Sequence, residues 1–107
     1  MKRVGFLLKV KKEKIAAYRE EHKKVWPEML AALSRHGWHN YSLFMRDDGL
    51  LFGYFEAAGT FKNALDGMAG EAINARWQAA MAGYFESSGG ARPDESMHEL
   101  EEVFHLD

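Results

Sequence analysis

Residues 38–57 read Trp38-His39-Asn40-Tyr41-Ser42-Leu43-Phe44-Met45-Arg46-Asp47-Asp48-Gly49-Leu50-Leu51-Phe52-Gly53-Tyr54-Phe55-Glu56-Ala57. Aromatic and aliphatic residues from Trp38 to Arg46 and from Leu50 to Glu56 flank Asp47-Asp48-Gly49, a hairpin-type turn, so the two runs are expected to pair as antiparallel strands. Leu50, Phe52 and Tyr54 alternate with Leu51 and Phe55, which makes the second strand apolar on both faces and calls for cover from two sides.

Working outward toward the N-terminus, Val4, Phe6, Leu8 and Val10 alternate with Gly5, Leu7 and Lys9, the period of a strand over Arg3 to Val10. From Lys12 the period lengthens, and Ile15, Tyr18, His22, Val25, Met29 and Leu33 fall on one helical face. Pro27 lacks an N–H and disfavours helix in the residue before it, which predicts a break near Val25 and Trp26 and a second helical segment starting at Pro27. Gly37 stands where a left-handed helix cap is favoured. Toward the C-terminus, Thr60 is a cap for a short helix over Phe61 to Asp66, Gly67 to Gly70 separates it from a longer one over Glu71 to Phe85, and Ile73, Trp77, Ala80, Met81 and Tyr84 form the apolar stripe of the latter. A loop over Ser87 to Ser96, with Gly89, Gly90 and Pro93, leads to a last strand over Leu100 to Leu106.

The order strand, helix, strand, strand, helix, strand is that of an α+β, ferredoxin-like βαββαβ domain occupying residues 1–107. Helices cover one face of such a sheet. Leu7, Leu50, Phe52 and Tyr54 on the other predict a second copy of the chain, sheet against sheet, a homodimer of the dimeric α/β barrel kind.

Composition narrows the function. The 107 residues carry 14 Lys+Arg against 16 Asp+Glu, without the basic excess that holds a phosphate backbone, so no nucleic-acid partner is expected. The absence of cysteine removes disulfides, thiolate metal sites and thiol nucleophiles. Lys9, Lys11 and Lys12 close the only apolar run near the N-terminus well short of a signal-peptide core or membrane span, which points to a cytoplasmic protein with no membrane partner. Gly49, Gly53 and Gly59 lack phosphate-loop spacing, and Ser87 and Ser88 lack a nucleophile-elbow context.

The polar aromatics remain. Tyr18 and His22 lie one turn apart on a helix face, where they read either as an acid–base pair or as a core phenol beside a solvated imidazole. Trp26-Pro27-Glu28 reads as a kink with a buried indole or as part of a site. His36 and His39 are separated by a helix stop and lack further ligands, so no metal is expected. Asn40 and Tyr41 suit hydroxyl binding as well as turn and sheet packing, and Arg76-Trp77 carries the same ambiguity.

Taken together, Tyr18, His22, Trp26-Pro27-Glu28, His36-Gly37, His39-Asn40-Tyr41, Leu51-Phe52, Arg76-Trp77 and Glu102-Val103-Phe104 resemble the L-rhamnose mutarotases, in order over nearly the whole chain. The resemblance implies a ferredoxin-like homodimer that interconverts the α and β anomers of a 6-deoxy hexose without a cofactor. It implies His22 as the proton donor and Tyr18, Tyr41 and Trp77 as sugar-binding residues, with Trp26, His39, Asn40 and Arg76 in support. Where the family commonly has a second Trp after Trp77, this chain has Gln78, a candidate substrate contact that exchanges an apolar surface for an amide. The run Ser88-Gly89-Gly90-Ala91-Arg92 also departs from the family. The chemistry suits the residue types: ring opening moves a proton from the anomeric hydroxyl to the ring oxygen, and imidazole titrates close enough to neutrality for both steps. On the residues alone, a cofactor-free monooxygenase on the same scaffold and a non-catalytic ligand-binding module stay open.

Overall fold

A computed structural model describes residues 1–86, 93 and 96–107. Strands β1 (Lys2–Lys9), β2 (Trp38–Met45), β3 (Leu50–Ala57) and β4 (His98–Leu100) form one sheet in the order β2-β3-β1-β4. Every pairing is antiparallel. The helices are α1 (Ile15–Glu21), α2 (Pro27–Arg35), α3 (Phe61–Ala69) and α4 (Ala72–Met81), with short 3₁₀ turns at Lys12–Lys14 and Ala82–Tyr84. This is the expected α+β, ferredoxin-like arrangement. Among the described residues no helix is long and apolar enough to cross a membrane.

Local chemistry sets most boundaries. Pro27 opens α2 at the position where its missing N–H costs nothing, and Trp26 before it is extended at φ −60°, ψ 133°. Gly37, at φ +80°, ends that helix in the left-handed region. In the hairpin, the Gly49 N–H donates to the Arg46 carbonyl at 2.9 Å while Gly49 sits at φ +93°, and Asp48 accepts from the Arg46 guanidinium and from the Leu50 N–H. The Thr60 hydroxyl caps α3 by accepting from the Asn63 N–H at 3.0 Å.

Val4, Phe6 and Leu8 of β1 and Leu51 and Phe55 of β3 are buried beneath Met29 and Ala32 of α2, Phe61, Ala64 and Met68 of α3, and Ile73, Trp77 and Met81 of α4. Trp38 stacks on Phe55 at 4.0 Å between ring centroids, and Phe6 stacks on Phe61 at 5.9 Å. Phe6 and Phe55, both fully enclosed, each contribute about 1.5–3 kcal/mol relative to exposure.

The structure departs from the sequence reading in the second half of the chain. Helix α3 runs through Gly67 to Ala69, because Gly67 faces the His36 ring and leaves room for the imidazole against the helix. Helix α4 ends at Met81 and gives way to the 3₁₀ turn, so Tyr84 and Phe85 are not part of it, and Ala80 is exposed. Strand β4 ends at Leu100, where the last strand was expected to begin. The strand preference of Val103 and Phe104 takes effect only on a paired, half-buried surface. Both residues are instead exposed, 86% and 80%. The loop expected over Ser87 to Ser96, including Ser88 to Arg92, lies outside the described residues except for Pro93 and Ser96.

Candidate active site

Between the inner face of the sheet and the helices lies a cavity of about 360 Å³, within the size range of small-molecule sites. Tyr18, His22, Tyr41, Trp77 and Gln78, named from five positions along the chain, all line it. Leucine and methionine side chains, among them Leu8, Met29, Leu43 and Met81, make much of the remaining wall.

The helical spacing of Tyr18 and His22 brings their rings into a stack 4.1 Å apart between centroids. His22 closes α1, and its backbone N–H and its Nδ1 both reach the Tyr18 carbonyl oxygen, at 3.2 and 3.1 Å. A carbonyl only accepts, so Nδ1 carries the proton of the neutral ring and Nε2 holds the lone pair. Burial pushes the His22 pKa below the usual histidine value and outweighs the Tyr18 carbonyl and Glu21, which act the other way. Burial also raises the Tyr18 and Tyr41 phenols, Tyr41 adding to the effect on Tyr18, so both keep their protons at neutral pH and remain donors.

Trp77 meets His22 in a T-shaped contact, with centroids 5.6 Å apart and planes at 78°, and Trp26 meets Trp77 likewise at 5.0 Å and 88°. Trp26 thus braces the indole. A β-bulge between His39 and Ser42 puts Asn40 at φ +49°, outside the regular pairing of β2 with β3. That extra residue shifts the alternation, so Tyr41 joins Trp38 on the inner face, 5.1 Å from it, instead of pointing outward.

The other sequence candidates lie elsewhere. The exposed Asn40 amide donates to Glu56 Oε1 at 2.8 Å, across the sheet from the cavity. His39 pairs with Glu56 in the strand register and is not part of the cavity lining. Arg76 is exposed and forms a 3.7 Å ion pair with Glu28. His36 is held by Glu71 through its Nε2 at 2.7 Å and Arg35 grips the same carboxylate, a tie between the end of α2 and the start of α4. His36 and His39 do not converge, and no cluster suited to a metal occurs among the described residues.

Asn74 also lines the cavity, buried one turn before Gln78. Sequence reasoning missed it because a polar residue on a helix reads as solvent-facing. Its spacing from Gln78 and Trp77 was the available signal.

Residues 3–106 match a family model described as L-rhamnose mutarotase. The chain is 38% identical over 108 residues to the L-rhamnose mutarotase of Oceanobacillus iheyensis and 35% identical over 108 residues to that of Bacillus subtilis, covering 100% of each and of itself. The crystal structure of an L-rhamnose mutarotase from Formosa agariphila superposes with a TM-score of 0.84 at 28% identity, covering 100% of both chains.

Proposed function

The chain belongs to the L-rhamnose mutarotase family, and from that premise we propose that it interconverts the α and β anomers of L-rhamnose with His22 carrying the proton. The observation that supports this most is the Tyr18 carbonyl at Nδ1 of a half-buried His22, which leaves the Nε2 lone pair free on a residue that lines a sugar-sized cavity. Neutral His22 takes the proton from the anomeric O1 as the C1–O5 bond breaks and C1=O1 forms. The imidazolium then delivers that proton to O5, and the open-chain aldehyde remains. Rotation about C1–C2 presents the other carbonyl face, and the reverse steps close the ring as the other anomer. A matched acid–base group supplies about 10²–10⁴-fold. Tyr18 and Tyr41 donate to sugar oxygens, and Trp77 offers an apolar face to the C–H bonds and the methyl group.

Residues 1–107 act as one domain, and two copies associate through the outer faces of their sheets. Phe44 pairs across the strands with Phe52 there, and Phe52 with Leu7; Phe44 is 60% exposed and Phe52 37%. Val103, Phe104 and Leu106 add exposed apolar surface beyond β4. An antiparallel sheet with this much apolar surface on its open side is stabilised by a second such face. A cytoplasmic location fits a small sugar substrate.

Saturation-transfer NMR on L-rhamnose tests the activity. Transfer between the two anomeric proton resonances should increase in proportion to added protein. An exchange rate equal to that of buffer would overturn the assignment.

A further inference from the structure

Helix α4 hangs over the cavity. Trp77 and Met81 line it from α4 while Leu8, Leu43 and Leu51 line it from the strands, so along this stretch the sheet gives the helix no bed and its place is set by its neighbours α2 and α3. Glu71 stands at the N-cap position of α4, yet its side chain makes no capping bond to that helix. It turns to the end of α2 instead. Arg35 Nη2 donates to Glu71 Oε1 at 3.0 Å and His36 Nε2 donates to Glu71 Oε2 at 2.7 Å. The bonds from Arg35 and His36 hold the Glu71 carboxyl below its usual pKa, which keeps it ionised at neutral pH. His36 in turn is seated against Gly67, so α2, α3 and α4 meet at one half-buried carboxylate.

The charged tie between Arg76 and Glu28 farther along the same two helices is weaker, 3.7 Å long with both side chains exposed. Charge-assisted bonds from two donors onto one partly desolvated carboxylate are stronger and hold a geometry better. Trp77 lies six residues after Glu71, about 9 Å along the axis of a helix that moves as a rigid rod, so a shift at its start is carried to the indole. Contact with Trp26 steadies the indole, and Glu71 sets where the helix bearing it begins. We propose that Glu71 is a positioning residue: by tying the start of α4 to the end of α2 it fixes how far Trp77 stands from the opposite wall, and so sets the affinity for the sugar without touching it. The inference rests on the mutarotase reading, in which Trp77 contacts the sugar and His22, on α1, moves the proton.

The test measures KM and kcat for L-rhamnose by saturation-transfer NMR over a range of sugar concentrations, in the wild-type chain, Glu71→Ala, Glu71→Gln and Lys62→Ala. The last removes an exposed ion pair with Asp66 inside α3 and serves as the control. Glu71→Ala should raise KM about fivefold, the scale of one weakened hydrogen bond to the sugar, with kcat close to that of the wild type. Glu71→Gln keeps an acceptor and loses the charge, so its KM should fall between the two, and Lys62→Ala should keep the wild-type KM. A merely structural tie would lower the melting temperature of Glu71→Ala and leave its KM unchanged, which would overturn the proposal, as would an equal rise of KM in Lys62→Ala. Should Glu71→Ala fail to fold, as circular dichroism would show, Glu71→Gln decides by the same criterion: a raised KM upholds the proposal and an unchanged one overturns it. A wild-type chain that does not accelerate exchange would overturn the mutarotase reading and the proposal with it, whereas an unchanged KM in an active variant overturns the proposal alone.

Discussion

On the inner face of the sheet Phe6, Leu51 and Phe55 are closed over by helices, whereas on the outer face Phe44 and Phe52 stay open to solvent. Both faces are built from the same kinds of residue on the same strands. The inner layer is tightly packed except where Tyr18, His22, Trp77 and Gln78 border the cavity, so its gap is a place for a ligand. The outer layer has no gap to fill and a surface to cover, which suits a second copy of the chain. Hydrophobicity alone therefore does not separate a binding cavity from an interface. The difference lies in which neighbours each face meets.

The sharpest way to break the contrast is to charge the outer face. Phe52→Glu should turn a particle of twice the chain mass into one of single mass in sedimentation equilibrium at micromolar concentration, because a carboxylate would be buried without a partner between the sheets. A Phe52→Glu protein that keeps the double mass would show that this face is not the interface.

A smaller effect is expected from filling the inner layer. Gly67→Ala places a methyl group against the His36 ring and should cost about 1–3 kcal/mol, lowering the melting temperature by several degrees. Gly59→Ala, where a Cβ meets only the end of Asn63 at 3.8 Å, should cost less. Equal losses in the two would contradict the close packing assigned to Gly67.

The inner cavity should also reveal itself through pH. Burial lowers the His22 pKa, and in the proposed mechanism the neutral ring is the form that accepts the O1 proton. Exchange measured as kcat/KM should therefore persist into acid and fall to half at a pH below the usual histidine value of about 6.5. A midpoint at or above that value would contradict a desolvated His22 acting as the base. Smallest of all, Arg76→Ala should change stability by no more than about 0.5 kcal/mol in a denaturant titration, since its ion pair with Glu28 is solvent-exposed.

Much of this was legible wherever a signal was local. Pro27, Gly37 and Asp48-Gly49 mark their boundaries through their own backbone and side-chain chemistry, and the spacing of Tyr18 and His22 already places the two rings together. Features set by a distant neighbour were not. Gly67 reads as a helix breaker until His36 is seen against it. Val103 and Phe104 have strand character but pair with no strand among the described residues. Asn40 and Tyr41 looked alike as candidates, and a one-residue bulge sends one to Glu56 and the other into the cavity. Asn74 was hidden for the same reason, because its burial depends on how α4 meets the sheet.

The role of His22 bears most directly on the proposed chemistry, and His22→Ala probes it in a protein whose fold and mass are checked alongside. With the Tyr18 carbonyl left in place and Nε2 removed, saturation transfer on L-rhamnose should drop by about 10²-fold or more, toward the rate in buffer. Undiminished exchange in a folded His22→Ala protein would place the proton transfer on another group.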